Sequence, residues 1–368
     1  MRTYPYLLLD KKKCLDNIER MVLKAKRHNL KLKPHFKTHQ SREIGEWFKG
    51  LGITACTVSS FQMAKYFASA GWTDITIAFP VSVYDLEEIN NLSKNININI
   101  ITSSYINLSS FIKGNLYNKI GVYIELDCGY NRSGISISNT REIALMINQI
   151  DENKQLSFKG FITHTGNTYE AKSANEVEVI HRKVLKNLSQ IKAFWKESHP
   201  DIIVSYGDTP SCSTSEDFWG IDEIRPGNFV FYDLTQVSIG SCNVNNIATA
   251  LICPIVDVYP ERNEAIIRGG AVHLSKDSIL LSDGTKSFGT VCFFNGETWE
   301  NPTDELYLKS ISQEHGIISS KGNEVLNLKP GQLVAILPIH SCLTVDTIGR
   351  LYLSNGSLIE TMRERKLC

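Results

Sequence analysis

The sequence predicts an α/β fold: a closed parallel (β/α)8 barrel of the TIM type, followed by an antiparallel β domain. Three observations carry this. Eight strand-like segments recur along the first two thirds of the chain, with helical patterns between most of them. No GxGxxG turn follows an early strand, so an open doubly wound sheet lacks its usual signature. Near residue 240 the pattern changes to short strands separated by turn residues.

The elements follow in order. Tyr6–Leu9 precedes the first helix and is assigned to the β domain as an added strand. A helix over Cys14–His28 lines up Leu15, Ile18, Met21, Val22 and Ala25 on one face. The barrel strands are expected at Leu30–Phe36, Ile53–Val58, Ile75–Phe79, Ile96–Ile101, Val122–Leu126, Phe158–Thr163, Ile202–Ser205 and Asn228–Tyr232. The clearest helices between them are Phe61–Ala70, Thr140–Ile150 and Glu176–Trp195. The charges of Glu176–Glu197 read as a solvated helix face. The stretch Asn90–Ser110 has biased composition, yet Asn95–Ile100 alternates with period two and reads as a strand. Later strands are expected at Ala248–Val258, Glu264–Ile267, Gly289–Phe294, Leu306–Ile311 and Leu333–Leu337. Turns at Asn295-Gly296, Lys321-Gly322-Asn323 and Lys329-Pro330-Gly331 divide them. The expected domains are a barrel over 11–238 and a β domain over 239–368 that takes in the N-terminal strand of 1–10.

Composition narrows the function. The chain has 368 residues, 42% of them hydrophobic, enough for a substantial core. Lys+Arg 39 balances Asp+Glu 39, which argues against bulk attraction to nucleic acid or a membrane surface. The five tryptophans show no pattern for stacking on nucleic acid. The apolar start is too short for a signal segment, and no stretch approaches the ~20 apolar residues of a membrane span. The 9 cysteines are scattered without a CxxC pair, which fits a reducing cytoplasm.

The run Lys33-Pro34-His35-Phe36-Lys37-Thr38-His39 puts a lysine between two histidines at the end of the first expected strand. Alone, it reads as a basic surface loop. Barrel enzymes place reactive groups at the C-terminal ends of strands, however, and other polar groups recur at that level. They are Asp127–Gly134 after strand five, His164–Tyr169 after strand six, Gly207–Ser211 after strand seven, and Arg225–Asn228 with Tyr232 around strand eight. Gly207/Thr209 and Gly227/Asn228 are candidates for holding a phosphate through backbone N–H groups. A lysine able to form a Schiff base, together with a phosphate site, suggests pyridoxal phosphate.

At this point the chain resembles a known family. Pro34–His39 matches Pro-His-x-Lys-Thr-His, the cofactor-lysine signature of the fold-type III pyridoxal-phosphate enzymes of the D-serine dehydratase and D-threonine aldolase group, whose barrel is of the alanine-racemase type. His164–Tyr169 looks most like the eukaryotic-type D-serine dehydratases. Asn131-Arg132-Ser133-Gly134 resembles the Asn-Arg-x-Gly of alanine racemases, where the arginine lies beside the cofactor's phenolic oxygen. Arg225-Pro226-Gly227 resembles their arginine that faces the pyridine nitrogen and weakens the electron sink. The resemblance covers nearly the whole chain. It implies Lys37 and His164 as catalytic groups. It places Lys37, Arg132, His164, Tyr169, Thr209, Arg225, Gly227, Asn228 and Tyr232 around the cofactor. It also implies a homodimer. His39 is followed by Gln40, where many relatives have a lysine.

His340-Ser341-Cys342 is a weak metal signal by itself, two ligands being half of a tetrahedral site. By spacing alone it reads as a strand with a buried thiol. The resemblance implies that His340 and Cys342 bind zinc, as the matching pair does in D-serine dehydratases. Aldolases of the group carry a carboxylate in place of the cysteine and use harder divalent ions. Gln313–Gly316 resembles a segment beside the metal and is read as a turn or an outer-shell element. His28, His181, His199 and His273 are read as ordinary surface or core histidines.

The implied activity is elimination of water from a small D-3-hydroxy amino acid, D-serine foremost, to give pyruvate and ammonia. D-threo-3-hydroxyaspartate dehydratases share the His-x-Cys. Retro-aldol cleavage of D-threonine to glycine and an aldehyde is the alternative. A racemase would need a second base and no metal. Single-barrel pyridoxal-phosphate carrier proteins are the non-enzyme alternative, but they lack a C-terminal β domain.

Overall fold

The structure is a computed structural model that describes residues 4–302 and 305–363. By contacts the chain divides into two compact units.

The first unit comprises Arg20–Lys37 and Gly45–Gly227. Its eight parallel strands are Lys31–Leu32, Ala55–Val58, Asp74–Pro80, Asn97–Thr102, Ile120–Asp127, Leu156–His164, Ile203–Gly207 and Glu223–Ile224. They pair in sequence order, and the eighth returns to the first. Pro34 has no N–H and cuts the first strand to two residues. The ring is completed by single bonds beyond it. Phe36 N donates to Thr57 O and Thr57 N to Pro34 O, both at 2.9 Å. This is the expected (β/α)8 barrel, nearly closed.

Helices between the strands start on side-chain caps. Ser60, Asn139 and Ser173 accept from Met63, Glu142 and Glu176, respectively. Phe36 anchors the packing against Phe67 and Trp72, each with ring centroids 4.8 Å away. Strand six requires glycine at 160 (φ 131°), because a Cβ there would lie 2.0 Å from the Ile203 carbonyl oxygen. The barrel also holds a part-buried ion pair, Lys33 Nζ to Asp74 Oδ1 at 2.6 Å. Burial pushes the Asp74 carboxyl up, but Lys33 and Lys31 outweigh it and hold it below the usual range.

The eighth strand is not where propensity put it. Asn228–Tyr232 is rich in aromatic and β-branched residues, yet its backbone folds on itself. Phe231 N and Tyr232 N both donate to Asn228 O, at 3.0 and 2.8 Å, and Tyr232 takes a φ of 49°. Phe229 and Phe231 are wholly buried. Burial of a short turn, not sheet pairing, explains the composition. Glu223–Ile224 is the eighth strand, so Arg225 stands directly at its C-terminal end.

The second unit comprises the residues up to Glu19, Thr38–Ile44 and the residues from Asn228 on. Its nine-stranded sheet runs in the order Glu264–Arg268, His315–Ser320, Leu306–Ile311, Gly289–Phe293, Leu333–Pro338, Thr249–Tyr259, Tyr6–Leu9, Arg350–Tyr352, Leu358–Glu360. Thr249–Tyr259 also pairs with Glu264–Arg268, which closes the first six strands into an antiparallel ring. Tyr6–Leu9 joins antiparallel to Thr249–Tyr259. Among the described residues no helix is long and apolar enough to cross a membrane.

Candidate active site

In the barrel unit the cations of the sequence reading converge. Lys37 is exposed, and its backbone N–H donates to His35 Nδ1 at 3.3 Å. His35 is held well below its ordinary pKa, first by burial and then by the charges of Lys37, Arg225, His164 and Arg132. The last residue of strand six, His164, donates from Nδ1 to the Gly207 carbonyl at 2.8 Å. Burial, then Lys37 and Arg132, depress its pKa to about 3, against the pull of the Gly207 carbonyl. His164 is therefore a neutral imidazole with its proton on Nδ1.

Arg225 is buried at 6% exposure. Its Nε donates to Ser205 Oγ at 2.7 Å and its NH2 to the Thr163 carbonyl at 2.6 Å. Both bonds fix the direction of the guanidinium. Gly207 lies against this residue, since a Cβ there would sit 3.1 Å from the Arg225 backbone.

Arg132 rides on a loop clamped at both ends by strand five. Asp127 Oδ1 accepts from the N–H groups of Gly129, Tyr130 and Asn131 at 2.9, 3.0 and 3.0 Å. Ser133 Oγ donates to Glu125 Oε1 at 2.9 Å. The Arg132 guanidinium stacks over the Tyr130 ring at 5.4 Å. Tyr130 meets His164 edge-on, with centroids 6.0 Å apart, and packs where a Cβ on Gly166 would be 2.2 Å from its ring.

Tyr169 and Thr209 also come together, with Thr209 N donating to Tyr169 Oη at 3.3 Å. Asp208 organises this corner, as its Oδ1 accepts from Ser211 N at 2.6 Å and Thr168 Oγ1 at 3.0 Å. Thr209 Oγ1 is buried without a hydrogen-bond partner among the described residues. An orphaned hydroxyl beside a capped turn, within a unit that also gathers Lys37, Arg132 and Arg225, fits an anionic cofactor such as pyridoxal phosphate.

The His340–Cys342 pair lies in the β unit. His340 and Cys342 do not sit in a strand: His340 stands just before the helix Ser341–Ile348, and Cys342 is in its first turn. The two side chains hydrogen-bond to each other. Burial pulls His340 down, but Cys342, Asp233 and Asp277 outweigh it and raise the imidazole to about 9. His340 Nδ1 lies 3.0 Å from Asp277 Oδ2. Cys342 Sγ lies 3.2 Å from Thr38 Oγ1 and 3.6 Å from Asn228 Nδ2. Asn228 Nδ2 also donates to Asp233 Oδ2 at 2.6 Å, and Asp233 accepts from Ser341 N at 3.0 Å. A thiol and an imidazole side by side, the imidazole backed by a carboxylate, form a donor set that fits zinc. No group of three His, Cys, Asp or Glu stands together as a complete metal site among the described residues.

The side chain of Asn228 thus engages the surroundings of Cys342, and Tyr232 ends the buried turn after it. Gly227 closes the barrel unit. Thr38 and Tyr130 lay in motifs the sequence showed but were given no role of their own, and Glu125 and Asp277 were not singled out. Asp127-x-Gly129 carried a readable turn signal, because aspartate accepts from the amides that follow it. Asp277 lies 63 residues from His340 and had none.

The neutral state of His164 makes a pH prediction. Its folded pKa of about 3 lies below the ordinary 6.5, so below pH ~6.5 the unfolded chain binds a proton that the folded chain refuses. Stability is then lost as pH falls, by up to ~1.4 kcal/mol per pH unit from this residue. Urea unfolding of the cofactor-free chain between pH 6 and 4.5 should fall off less steeply in His164→Asn. Parallel curves would show that His164 is protonated in the fold.

The alanine racemase N-terminal domain family matches residues 9–234, and the serine dehydratase domain family matches residues 248–354. The chain is 28% identical to a D-serine dehydratase of Dictyostelium discoideum, over 93% of this chain and 90% of the relative. It is 25% identical to a D-threo-3-hydroxyaspartate dehydratase of Delftia sp. (strain HT23), over 92% and 91%. A solved structure of a D-threo-3-hydroxyaspartate dehydratase mutant in the metal-free form superposes with a TM-score of 0.90 at 22% identity, covering 99% of each chain. The barrel has the alanine-racemase fold, and the chain belongs to the alanine racemase N-terminal domain family, in the form that carries a serine dehydratase domain behind the barrel.

Proposed function

We propose that this chain is a pyridoxal-phosphate- and zinc-dependent lyase that eliminates water from a D-3-hydroxy amino acid, with D-serine as the substrate and pyruvate and ammonia as products. The observation that carries the reading is Cys342 beside His340, a soft donor pair suited to zinc. The D-serine and D-threo-3-hydroxyaspartate dehydratases among its relatives, one of them known in a metal-free form, support it. When bound, pyridoxal phosphate supplies an electron sink for charge at Cα, and zinc supplies a Lewis acid for the departing hydroxyl oxygen.

The chain's own residues divide the remaining work. Lys37 would hold the cofactor and, as a free amine, would take the Cα proton on Nζ. Arg225, fixed by Thr163 and Ser205, offers a charged guanidinium to the cofactor ring. A guanidinium stays protonated, so it would offer a cofactor's pyridine nitrogen no partner that favours its protonation, and the electron sink supplied there would be weak. His340 and Cys342 would hold the zinc that supplies a Lewis acid to the departing hydroxyl. Thr209, Tyr169 and the Gly227 backbone take the phosphate, and Arg132 takes the phenolic oxygen. Asn228 and Tyr232 complete the cofactor surroundings. His164, neutral with its proton committed to Gly207 O, would flank the ring and present Nε2 as a hydrogen-bond acceptor. The products balance: D-serine loses water, and the released aminoacrylate takes water back to give pyruvate and ammonia. A cytoplasmic homodimer is part of the reading.

The full chain, loaded with pyridoxal phosphate and zinc, should convert D-serine to pyruvate and ammonia in equal amounts. It should leave no glycine from D-threonine. Glycine and an aldehyde as the main products would replace this reading with the aldolase.

A further inference from the structure

We infer that Asp277 is a positioning residue for the metal pair. Its carboxylate accepts the His340 Nδ1–H and so commits Nε2 of that imidazole to the ion. The inference rests on the reading of His340 and Cys342 as metal ligands.

An imidazole can offer a metal either nitrogen, and the hydrogen bond made by the other decides which one it offers. His340 Nδ1 and Asp277 Oδ2 are 3.0 Å apart. A carboxylate behind the ring fixes its rotation and makes the opposite nitrogen a stronger donor.

Asp277 is held in place by its own loop. Ser275 Oγ donates to Asp277 Oδ2 and accepts from Asp277 N, both at 3.2 Å. To do so Ser275 takes φ 105° and ψ 176°, a conformation that side-chain-bearing residues rarely adopt. The preceding helix, Ala271–Leu274, is tied to the helix of the metal pair. Thr344 Oγ1 is within reach of the Leu274 carbonyl at 3.0 Å and the His340 carbonyl at 3.1 Å. Asp277 and His340 are therefore referenced to the same residue, Thr344. Both side chains are roughly half exposed, at 46% and 40%. A surface ion pair of that kind contributes little to stability, so its fixed geometry has another use.

Zinc affinity of the full-length, cofactor-loaded chain, measured by competition with a chromophoric chelator, should fall ~10–100-fold in Asp277→Ala. Asp277→Asn keeps an oxygen that accepts the Nδ1–H and should retain most of the affinity. In the cobalt(II)-substituted protein, Asp277→Ala should also shift the visible absorption of the His340–Cys342 site. Because Asp277 is half exposed, the melting temperature of the metal-free chain should not change in either variant. Unchanged zinc affinity in Asp277→Ala overturns the inference and leaves the metal reading standing, whether or not the melting temperature falls. Zinc binding that is absent in the wild type, or indifferent to His340→Ala and Cys342→Ala, overturns both.

Discussion

Lys37→Ala should lower turnover of D-serine by at least ~10^3-fold, because one substitution removes both the covalent anchor of the cofactor and the base for the Cα proton. The visible absorption of the lysine-bound cofactor should vanish in the same variant. Lys37→Arg should fare no better, since a guanidinium forms no Schiff base and does not give up its proton near neutral pH. Lys37 is exposed in the turn beyond the first barrel strand, so neither substitution opens a cavity, and the fold should persist. Binding of free pyridoxal phosphate through Thr209, Tyr169 and the cationic cluster should survive at reduced affinity. Full activity in Lys37→Ala would remove the centre of the proposal.

The lysine was legible for a physical reason. Pro34 halts the strand, and the chain turns at the level where barrel enzymes place their chemistry. Strands two to seven were visible because buried parallel strands read as apolar runs, and the β domain because turn residues punctuate it. Asn228–Tyr232 misled because strand propensity measures fit to a half-buried surface, and a buried turn offers the same fit. His340 and Cys342 were read by spacing as alternate residues of a strand, whereas they form a helix start. The distance between two donors i and i+2 does not reveal which element carries them. The partners that orient the site were beyond local pattern. Thr38 and Asn228 reach Cys342 from about three hundred and one hundred residues away along the chain. Only the folded unit brings them to the sulfur.

Cys342→Ala should lower D-serine turnover by roughly 10^3-fold, the scale expected when a Lewis acid is lost from a developing oxyanion. The effect follows from the weak sink set by Arg225. With an unprotonated cofactor nitrogen, charge at Cα is poorly stored, so the step depends on how easily hydroxide departs. Chelation of the wild type should copy the substitution, and added zinc should restore the chelated wild type but not Cys342→Ala. The absorption of the lysine-bound cofactor should be intact in both cases, because neither treatment removes Lys37. This separates loss of metal from loss of cofactor. Cys342→Asp exchanges a soft donor for a hard one and should move the preferred ion from zinc toward manganese. Asn228 and Thr38, which face the sulfur at 3.6 and 3.2 Å, can donate equally to a carboxylate oxygen and would support the exchange. If chelated wild-type protein turned over D-serine at full rate, the metal would have no part in the elimination, and Lys37 with Arg225 would have to account for it alone.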